Sequence, residues 1–180
     1  MVKNNLLDFL TTIGKLKKVK RTGWVREGVP NAESVAEHVY RVSLMSMLLG
    51  KKINTDKAIK MALLHELGET VIGDVVTERG KNIDIQAREE KSRREREAIK
   101  KICDSIDRRD FFELWLEYEE GNSEEAKFVK QMDKLEMAVQ AYEYESEHGK
   151  NLTEFFENTK KNLKNEELIK LFNELVKKRK

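Results

Sequence analysis

The stretch MALLHELGETVIGD, residues 61–74, decides the fold of this chain. Its apolar residues recur at helical spacing, and four polar residues interrupt them: His65, Glu66, Glu69 and Asp74. Imidazole and carboxylate groups are the donors that proteins use to bind divalent metals. The residues that the rest of the chain brings to this helix therefore decide whether it holds a metal.

The composition indicates one domain. With 180 residues the chain is long enough for one hydrophobic core, and no Pro-, Gly- or Ser-rich linker divides it. We therefore expect residues 1–180 to form a single domain.

The charge balance, the single cysteine and the N-terminal sequence indicate which partners and which location to expect. Lys and Arg number 35 and Asp and Glu number 33, so the net charge is only +2 and a nucleic-acid partner is not expected. The lone Cys103 excludes an internal disulfide, which fits a reducing, cytoplasmic location. The N-terminal residues 1–20 contain only short apolar runs, so we expect neither a signal peptide nor a membrane partner.

Helical periodicity runs through most of the remaining sequence, so we predict an all-α fold. Cap residues are Asn31 or Ser34 for the second helix and Ser123 for the long one. The charged segment 87–101 interleaves opposite signs and is expected to be a solvated, structural helix face. Loops are predicted at 21–32 and 75–85, and helices at 6–16, 34–49, 54–68, 87–101, 107–119, 123–149, 152–162 and 166–178.

Two further polar residues lie on or beside predicted apolar faces. His38 falls in the middle of a buried stripe that includes Val35 and Val42. Asp133 lies at the margin of the apolar face of the long helix, and a carboxylate there requires a partner. Either residue alone is more often an ordinary core or surface group.

Taken together with the polar residues of 61–74, these two residues indicate a metal site. Three predicted helices supply two imidazoles and two carboxylates, namely His38, His65, Glu66 and Asp133. Such a set of nitrogen and oxygen donors suits a divalent transition metal.

These motifs give the chain a resemblance to a known family. The segments ESVAEH around His38, HELGET with GD after it, and KFVKQMDKLEMAVQAYEYE around Asp133 resemble the signature of HD-domain phosphohydrolases. The 5'-deoxynucleotidase group is the most similar, and the resemblance includes RTGW at 21–24 and extends over about 16–145. It implies a compact helical bundle with one buried divalent metal (Co, Mn, Ni, Zn or Fe). The C-terminal helices at 151–180 would pack on this bundle. The resemblance also suggests a homodimer.

One position departs from the family pattern. The family takes its name from a His-Asp pair, whereas this chain has His65 followed by Glu66. Zinc and similar metals accept either acid, so we expect Glu66 to be a ligand, with the helix, the metal or the side-chain rotamer adjusting. The third histidine, His148, is expected to be exposed near a helix end, and we therefore predict one metal.

The resemblance also implies roles for five other residues. Glu69 would activate the attacking water, although a surface ion pair is the alternative. Asp74 and Trp24 would line the sugar, although Trp24 is equally explained as a core residue. The phosphate requires a further cation, for which Arg21 and Arg26 are both candidates.

The predicted function is hydrolysis of deoxyribonucleoside 5'-monophosphates by a metal-dependent 5'-deoxynucleotidase. One alternative is an HD phosphohydrolase that acts on another nucleotide. Another is a metal- or nucleotide-binding protein with weak turnover, against which the presence of Glu69 and Asp74 argues. A purely structural helical protein would leave the inward histidines unexplained.

Overall fold

The computed structural model describes residues 5–76, 78–79, 82–83 and 85–179. Within them the helices are α1 Leu6–Ile13, α2 Thr22–Arg26, α3 Val35–Leu49, α4 Thr55–Leu64, α5 Glu69–Ile72, α6 Ile85–Ser105, α7 Arg109–Glu120, α8 Glu124–His148, α9 Thr153–Asn162 and α10 Glu166–Lys178. A 3₁₀ turn at Gly14–Lys17 follows α1. The predicted all-α class is confirmed.

The predicted loop at 75–85 contains a minimal hairpin. Strands β1 Glu78–Arg79 and β2 Asn82–Ile83 are antiparallel, with Glu78 opposite Ile83. Residues 75 and 76 are irregular as predicted and Ile85 already begins α6, whereas residues 77, 80, 81 and 84 lie outside the described residues.

Helix α8 is the centre of the bundle. It packs against α3 and α4 on one side and against α7, α9 and α10 on others. Most residues of its apolar face are buried, and α9 and α10 add Phe156, Leu168 and Phe172 to the same core. A second cluster joins α6 and α7 to the end of α4 through Ile99, Trp115 and Leu64. Within the described residues, no helix combines the length and apolarity that crossing a bilayer requires.

A capping box fixes the start of α3. Ser34 Oγ accepts a hydrogen bond from the Glu37 backbone N–H at 3.3 Å, and Glu37 Oε2 accepts one from the Ser34 N–H at 2.5 Å. The alternative cap, Asn31, instead lies in the preceding turn with a φ of 53°. The cap places His38 one turn into the helix, facing the core.

The predicted third helix is interrupted. Helix α4 ends at Leu64, and His65 to Gly68 form a turn before the short α5 begins at Glu69. Bonds between residues three apart tighten this turn, among them the Glu69 N–H to the Glu66 carbonyl at 3.0 Å. Glu69 therefore does not lie on the same helix as His65, although both side chains are buried.

Two other predictions require correction. The expected loop at 21–32 contains the short helix α2, whose Trp24 is 2% exposed. The first helix, predicted as amphipathic from the helical spacing of Leu6, Leu7, Leu10, Ile13 and Leu16, leaves Leu7 and Leu10 73% and 51% exposed. Helix α1 packs through Phe9 and Ile13.

Candidate active site

Each of the two buried histidines is anchored through its Nδ1 atom. His38 Nδ1 lies 2.6 Å from Glu136 Oε2, and His65 Nδ1 lies 2.6 Å from the carbonyl oxygen of Ala62. The imidazole rings are 5.4 Å apart. Among the described residues, neither Nε2 atom has a hydrogen-bond partner. Both rings therefore direct their Nε2 atoms into the same space.

Two carboxylates complete the cluster. Asp133 Oδ1 is 3.1 Å from His38 Nε2, yet the pair lacks hydrogen-bond geometry, and Glu66 Oε1 is 3.7 Å from His65 Nε2. Ligand atoms of His38, His65, Glu66 and Asp133 all lie within 4.8 Å of one another.

This arrangement fits a divalent metal. Buried polar atoms without partners are costly, and a cation between two imidazoles and two carboxylates would satisfy all of them. Without that cation, burial and Arg21 act to lower the pKa of His38, but the carboxylates of Glu136 and Asp133 outweigh them and raise it to about 9. The four predicted ligands, from α3, the turn after α4, and α8, are therefore brought together.

Arg21 lies inside the cluster and Arg26 lies outside it. Arg21 Nη1 is 3.0 Å from Glu66 Oε1, and Nη2 is 3.9 Å from Asp133 Oδ1. Burial alone would raise the pKa of Glu66, but the charges of His65 and Arg21 lower it to about 2. Arg26 has an exposed side chain and lines only the adjoining cavity. Of the two candidate arginines, Arg21 therefore lies beside the proposed metal ligands, whereas Arg26 lines only the cavity.

Glu69 is a buried carboxyl beside this cluster. It is 1% exposed, and neither of its oxygens has a hydrogen-bond partner within the described part of the chain. Burial first, and then the carboxylates of Glu66 and Asp74, raise its pKa to about 11. The ammonium of Lys91 lies 3.6 Å from Glu69 Oε1.

That contact corrects the prediction for segment 87–101. Most of α6 is exposed as expected, but the side chains of Lys91 and Glu95 are only 22% and 14% exposed. Helix α6 packs against α5, which turns this pair towards Glu69. The expectation of a purely solvated, structural face is therefore wrong at these two residues.

A cavity of about 970 Å³ opens beside the cluster. It has the size of a small-molecule site. Arg21, Trp24, Asp74, Tyr118, Asp133 and Phe155 are among its lining residues.

Asp74 and Trp24 both lie at this cavity, and each already has structural contacts. Asp74 Oδ2 accepts a hydrogen bond from the Thr22 backbone N–H at 2.6 Å, which ties the loop after Gly73 to α2. Trp24 Nε1 donates to Glu33 Oε1 at 2.9 Å, and its ring packs on Phe155 with centroids 4.3 Å apart. Trp24 is thus a core residue that also borders the cavity.

Glu136 and Arg41 were not predicted as site residues from the sequence. Glu136 is fully buried between His38 and Arg41, and its Oε1 accepts a hydrogen bond from Arg41 Nε at 2.9 Å. The sequence did contain a signal for Glu136, because it follows Asp133 by three residues and is flanked by Leu135 and Met137.

His148, predicted to be exposed, is partly covered and stacks on Tyr144 with centroids 5.9 Å apart.

The chain is similar to several known proteins. The HD domain sequence profile matches residues 13–175. The chain is 42% identical to the "5'-deoxynucleotidase HDDC2" of Mus musculus, over 94% of this chain and 86% of that protein. It is 37% identical to the "5'-deoxynucleotidase YBR242W" of Saccharomyces cerevisiae, over 85% of this chain and 66% of that protein. A solved structure of a conserved hypothetical protein from Pyrococcus furiosus superposes with a TM-score of 0.77 at 35% identity, covering 95% of this chain and 99% of the other.

Proposed function

Because the chain belongs to the HD domain family, we propose that it is a metal-dependent 5'-deoxynucleotidase. It would hydrolyse deoxyribonucleoside 5'-monophosphates to the deoxynucleoside and phosphate. The single observation that supports this best is the pair of buried Nε2 atoms of His38 and His65, which face Glu66 and Asp133 next to the buried Glu69. The relatives that bear this activity in their names add support over most of the chain.

The site would hold one divalent metal, drawn from Co, Mn, Ni, Zn and Fe. His38 and His65 would supply nitrogen, and Glu66 and Asp133 would supply oxygen. When bound, such a metal supplies a Lewis acid for the phosphate and lowers the pKa of a water at the site. Glu66 must leave its ion pair with Arg21, or share it, to act as a ligand.

Glu69 is the proposed acid and base. Without a cation in the cluster the raised pKa of Glu69 favours its protonated form, whereas a bound divalent metal would favour the carboxylate. One of the carboxylate oxygens would then take the proton of the attacking water as the new P–O bond forms. The same group then gives that proton to the 5'-oxygen of the departing deoxynucleoside as the old P–O bond breaks. Its burial beside the cluster keeps bulk water from competing for this proton.

Arg21 is the proposed phosphate-binding cation. Its guanidinium already lies within 4 Å of two predicted ligands, whereas Arg26 only lines the cavity. A bidentate guanidinium suits two phosphate oxygens, and the charge would stabilise the developing negative charge of the transition state.

Asp74 and Trp24 are the proposed residues at the sugar. Asp74 would accept a hydrogen bond from a sugar hydroxyl through the oxygen that does not bind the Thr22 N–H. Trp24 donates a hydrogen bond to Glu33 and packs on Phe155, and both contacts would oppose its displacement by a 2'-hydroxyl. This would exclude ribose by shape.

The proposal is tested by phosphate release from matched deoxy- and ribonucleoside 5'-monophosphates. Metal-stripped protein is resupplied with each candidate metal, and Glu69→Gln is compared with Glu147→Gln, which changes an exposed glutamate of α8. We expect release from the deoxy substrates only, lost in Glu69→Gln by about 10²-fold or more and kept in the control. Metal-loaded protein that releases no phosphate would refute the proposal and favour the binding role.

A homodimer and a cytoplasmic location remain predictions. Sedimentation of the purified chain tests the first, since a monomer at micromolar concentration would contradict it. Localisation of the tagged chain in its own cells tests the second.

A further inference from the structure

The two carboxylate oxygens of Asp133 have different partners. Oδ1 lies 3.1 Å from His38 Nε2 and 3.9 Å from Arg21 Nη2. Oδ2 lies 3.0 Å from Nζ of Lys134, the next residue of α8. Oδ1 therefore faces the proposed metal position, while the Lys134 ammonium lies against the other oxygen of the same carboxylate.

Lys134 lies at the wall of the cavity rather than in the core. Its side chain is 36% exposed, against 12% for Asp133, and both residues line the cavity. Helix α9 fixes the backbone at this point, because the Lys134 carbonyl accepts a hydrogen bond from Thr159 Oγ1 at 2.7 Å. A lysine ammonium rides on a flexible four-carbon stem, so it can turn from Asp133 towards a bound molecule without movement of the helix.

The position of its ammonium distinguishes Lys134 from other described lysines at the cavity wall. Lys127 Nζ donates to Glu124 Oε1 at 2.9 Å, and Lys130 Nζ lies 4.6 Å from the centroid of the Tyr118 ring. The Lys134 ammonium instead contacts a proposed metal ligand. It is therefore placed where the phosphate of a substrate would approach the metal.

A phosphate at this site requires more positive charge than Arg21 alone supplies. The carboxylates of Glu66, Asp74 and Asp133 all interact electrostatically with Arg21, and Glu66 is paired with it at 3.0 Å. A phosphomonoester brings about two further negative charges at neutral pH. A second side-chain cation would offset part of the repulsion between this phosphate and the carboxylates.

A divalent cation at Asp133 would release the ammonium for that task. Such a cation, bound through Oδ1, would compete with Lys134 for the negative charge of Asp133 and would repel the ammonium. The ammonium has three N–H donors, and one carboxylate oxygen does not satisfy all of them. Lys134 would then be stabilised by contact with a second anion.

We propose that Lys134 is a second phosphate-binding residue of this site. Its ammonium turns from Asp133 Oδ2 to an oxygen of the phosphate when a phosphomonoester occupies the cavity. Arg21 then binds the phosphate from the side of Asp133 Oδ1, and Lys134 binds it from the side of Oδ2. The identity of the phosphomonoester rests on the proposed function, whereas binding of the phosphate group can be measured without turnover.

The experiment is a calorimetric titration of the Co²⁺-loaded full chain with inorganic phosphate. Lys134→Gln is compared with the wild type and with Lys127→Gln, which removes the same charge from another cavity-lining lysine about two turns earlier in α8. A charge-assisted hydrogen bond to phosphate is lost only in the first variant, so Lys134→Gln should bind phosphate about tenfold or more weakly. Lys127→Gln should match the wild type, and Lys134→Arg should restore most of the affinity.

The Co²⁺ affinity of the same variants separates direct phosphate binding from an indirect effect through Asp133. If Lys134 served only to position Asp133, its loss would weaken Co²⁺ binding as well. Removing a positive charge beside Asp133 should instead leave the Co²⁺ affinity unchanged or raise it. Competition with a chromophoric chelator measures this affinity, and circular dichroism confirms that each variant is folded.

Three results would overturn the proposal. They are an unchanged phosphate affinity in Lys134→Gln, an equal loss of Co²⁺ and phosphate affinity in that variant, and a Co²⁺-loaded wild type that binds no phosphate. A failure of the deoxynucleotidase assignment would be seen separately, as absent phosphate release from deoxynucleoside monophosphates by a wild type whose phosphate binding still depends on Lys134.

Discussion

His38 Nδ1 lies 2.6 Å from Glu136 Oε2, and both side chains are fully buried. The other carboxylate oxygen of Glu136 accepts a hydrogen bond from Arg41. Glu136 is therefore fixed on both sides and in turn fixes the orientation of the imidazole. An anchored Nδ1–H leaves Nε2 as the atom that faces the proposed metal.

Glu136→Gln should weaken metal binding by about 10- to 100-fold, because the carboxylate that orients His38 and raises its basicity is lost. Competition with a chromophoric chelator measures the affinity. Glu143→Gln is the matched control, since Glu143 also accepts hydrogen bonds from Arg41 but is 46% exposed. Equal affinities in the two variants would show that Glu136 does not support the site.

Metal removal should lower the thermal stability of the protein. A ligand at a thousand times its Kd stabilises the fold by about 4 kcal/mol, and for a chain of this size each kcal/mol shifts Tm by roughly 2–4 °C. Chelation should therefore lower Tm by about 10 °C. Asp133→Asn, which lacks one predicted ligand, should respond much less to the chelator, and a Tm that chelation leaves unchanged in the wild type would argue against a bound metal.

Arg21→Lys should lower kcat/KM far more than Arg26→Lys. A charge-assisted hydrogen bond contributes about 1.5–3 kcal/mol, so the loss at Arg21 should be roughly tenfold to a hundredfold. Steady-state kinetics on one deoxynucleoside monophosphate gives both values. A larger loss in the Arg26 variant would move the phosphate to the outer part of the cavity.

Glu33 should make stability depend on pH. Burial, and then the nearby Glu136, raise its pKa from 4.5 to about 7 in the folded protein. The folded state therefore binds more protons than the unfolded state between these values, and the contribution of Glu33 to stability falls as pH rises through this window.

Urea unfolding between pH 4.5 and 7 measures this effect. Glu33→Gln should flatten the decline relative to the wild type, whereas the exposed Glu157→Gln should not. If Glu33→Gln follows the same pH dependence as the wild type, Glu33 is not protonated in the folded state.

The proposed ligands His38 and Asp133 could be singled out from the sequence because a polar residue on or beside an apolar helical face is conspicuous once it is combined with the other members of the set. His38 and Asp133 stand out from the periodicity of α3 and α8, and the capping residues Ser34 and Ser123 set the register of those helices. The local sequence pattern was sufficient to predict the direction of a side chain wherever its own helix determines that direction.

Contacts that form only when two helices pack against each other were not predictable from the sequence. Nothing near Lys91 distinguishes it from the exposed Arg93, because the difference arises only from the packing of α6 on α5. The break after Leu64 was missed for a similar reason, since apolar spacing continues through the turn that ends α4.

Anomalous diffraction from crystals of the metal-loaded protein tests the central claim most directly, since it locates the ion and its ligands together. We predict one peak per chain, bound by Nε2 of His38, Nε2 of His65 and carboxylate oxygens of Glu66 and Asp133. A metal-loaded crystal with no peak between the two histidines, or with Glu66 still paired only to Arg21, would contradict the proposed site.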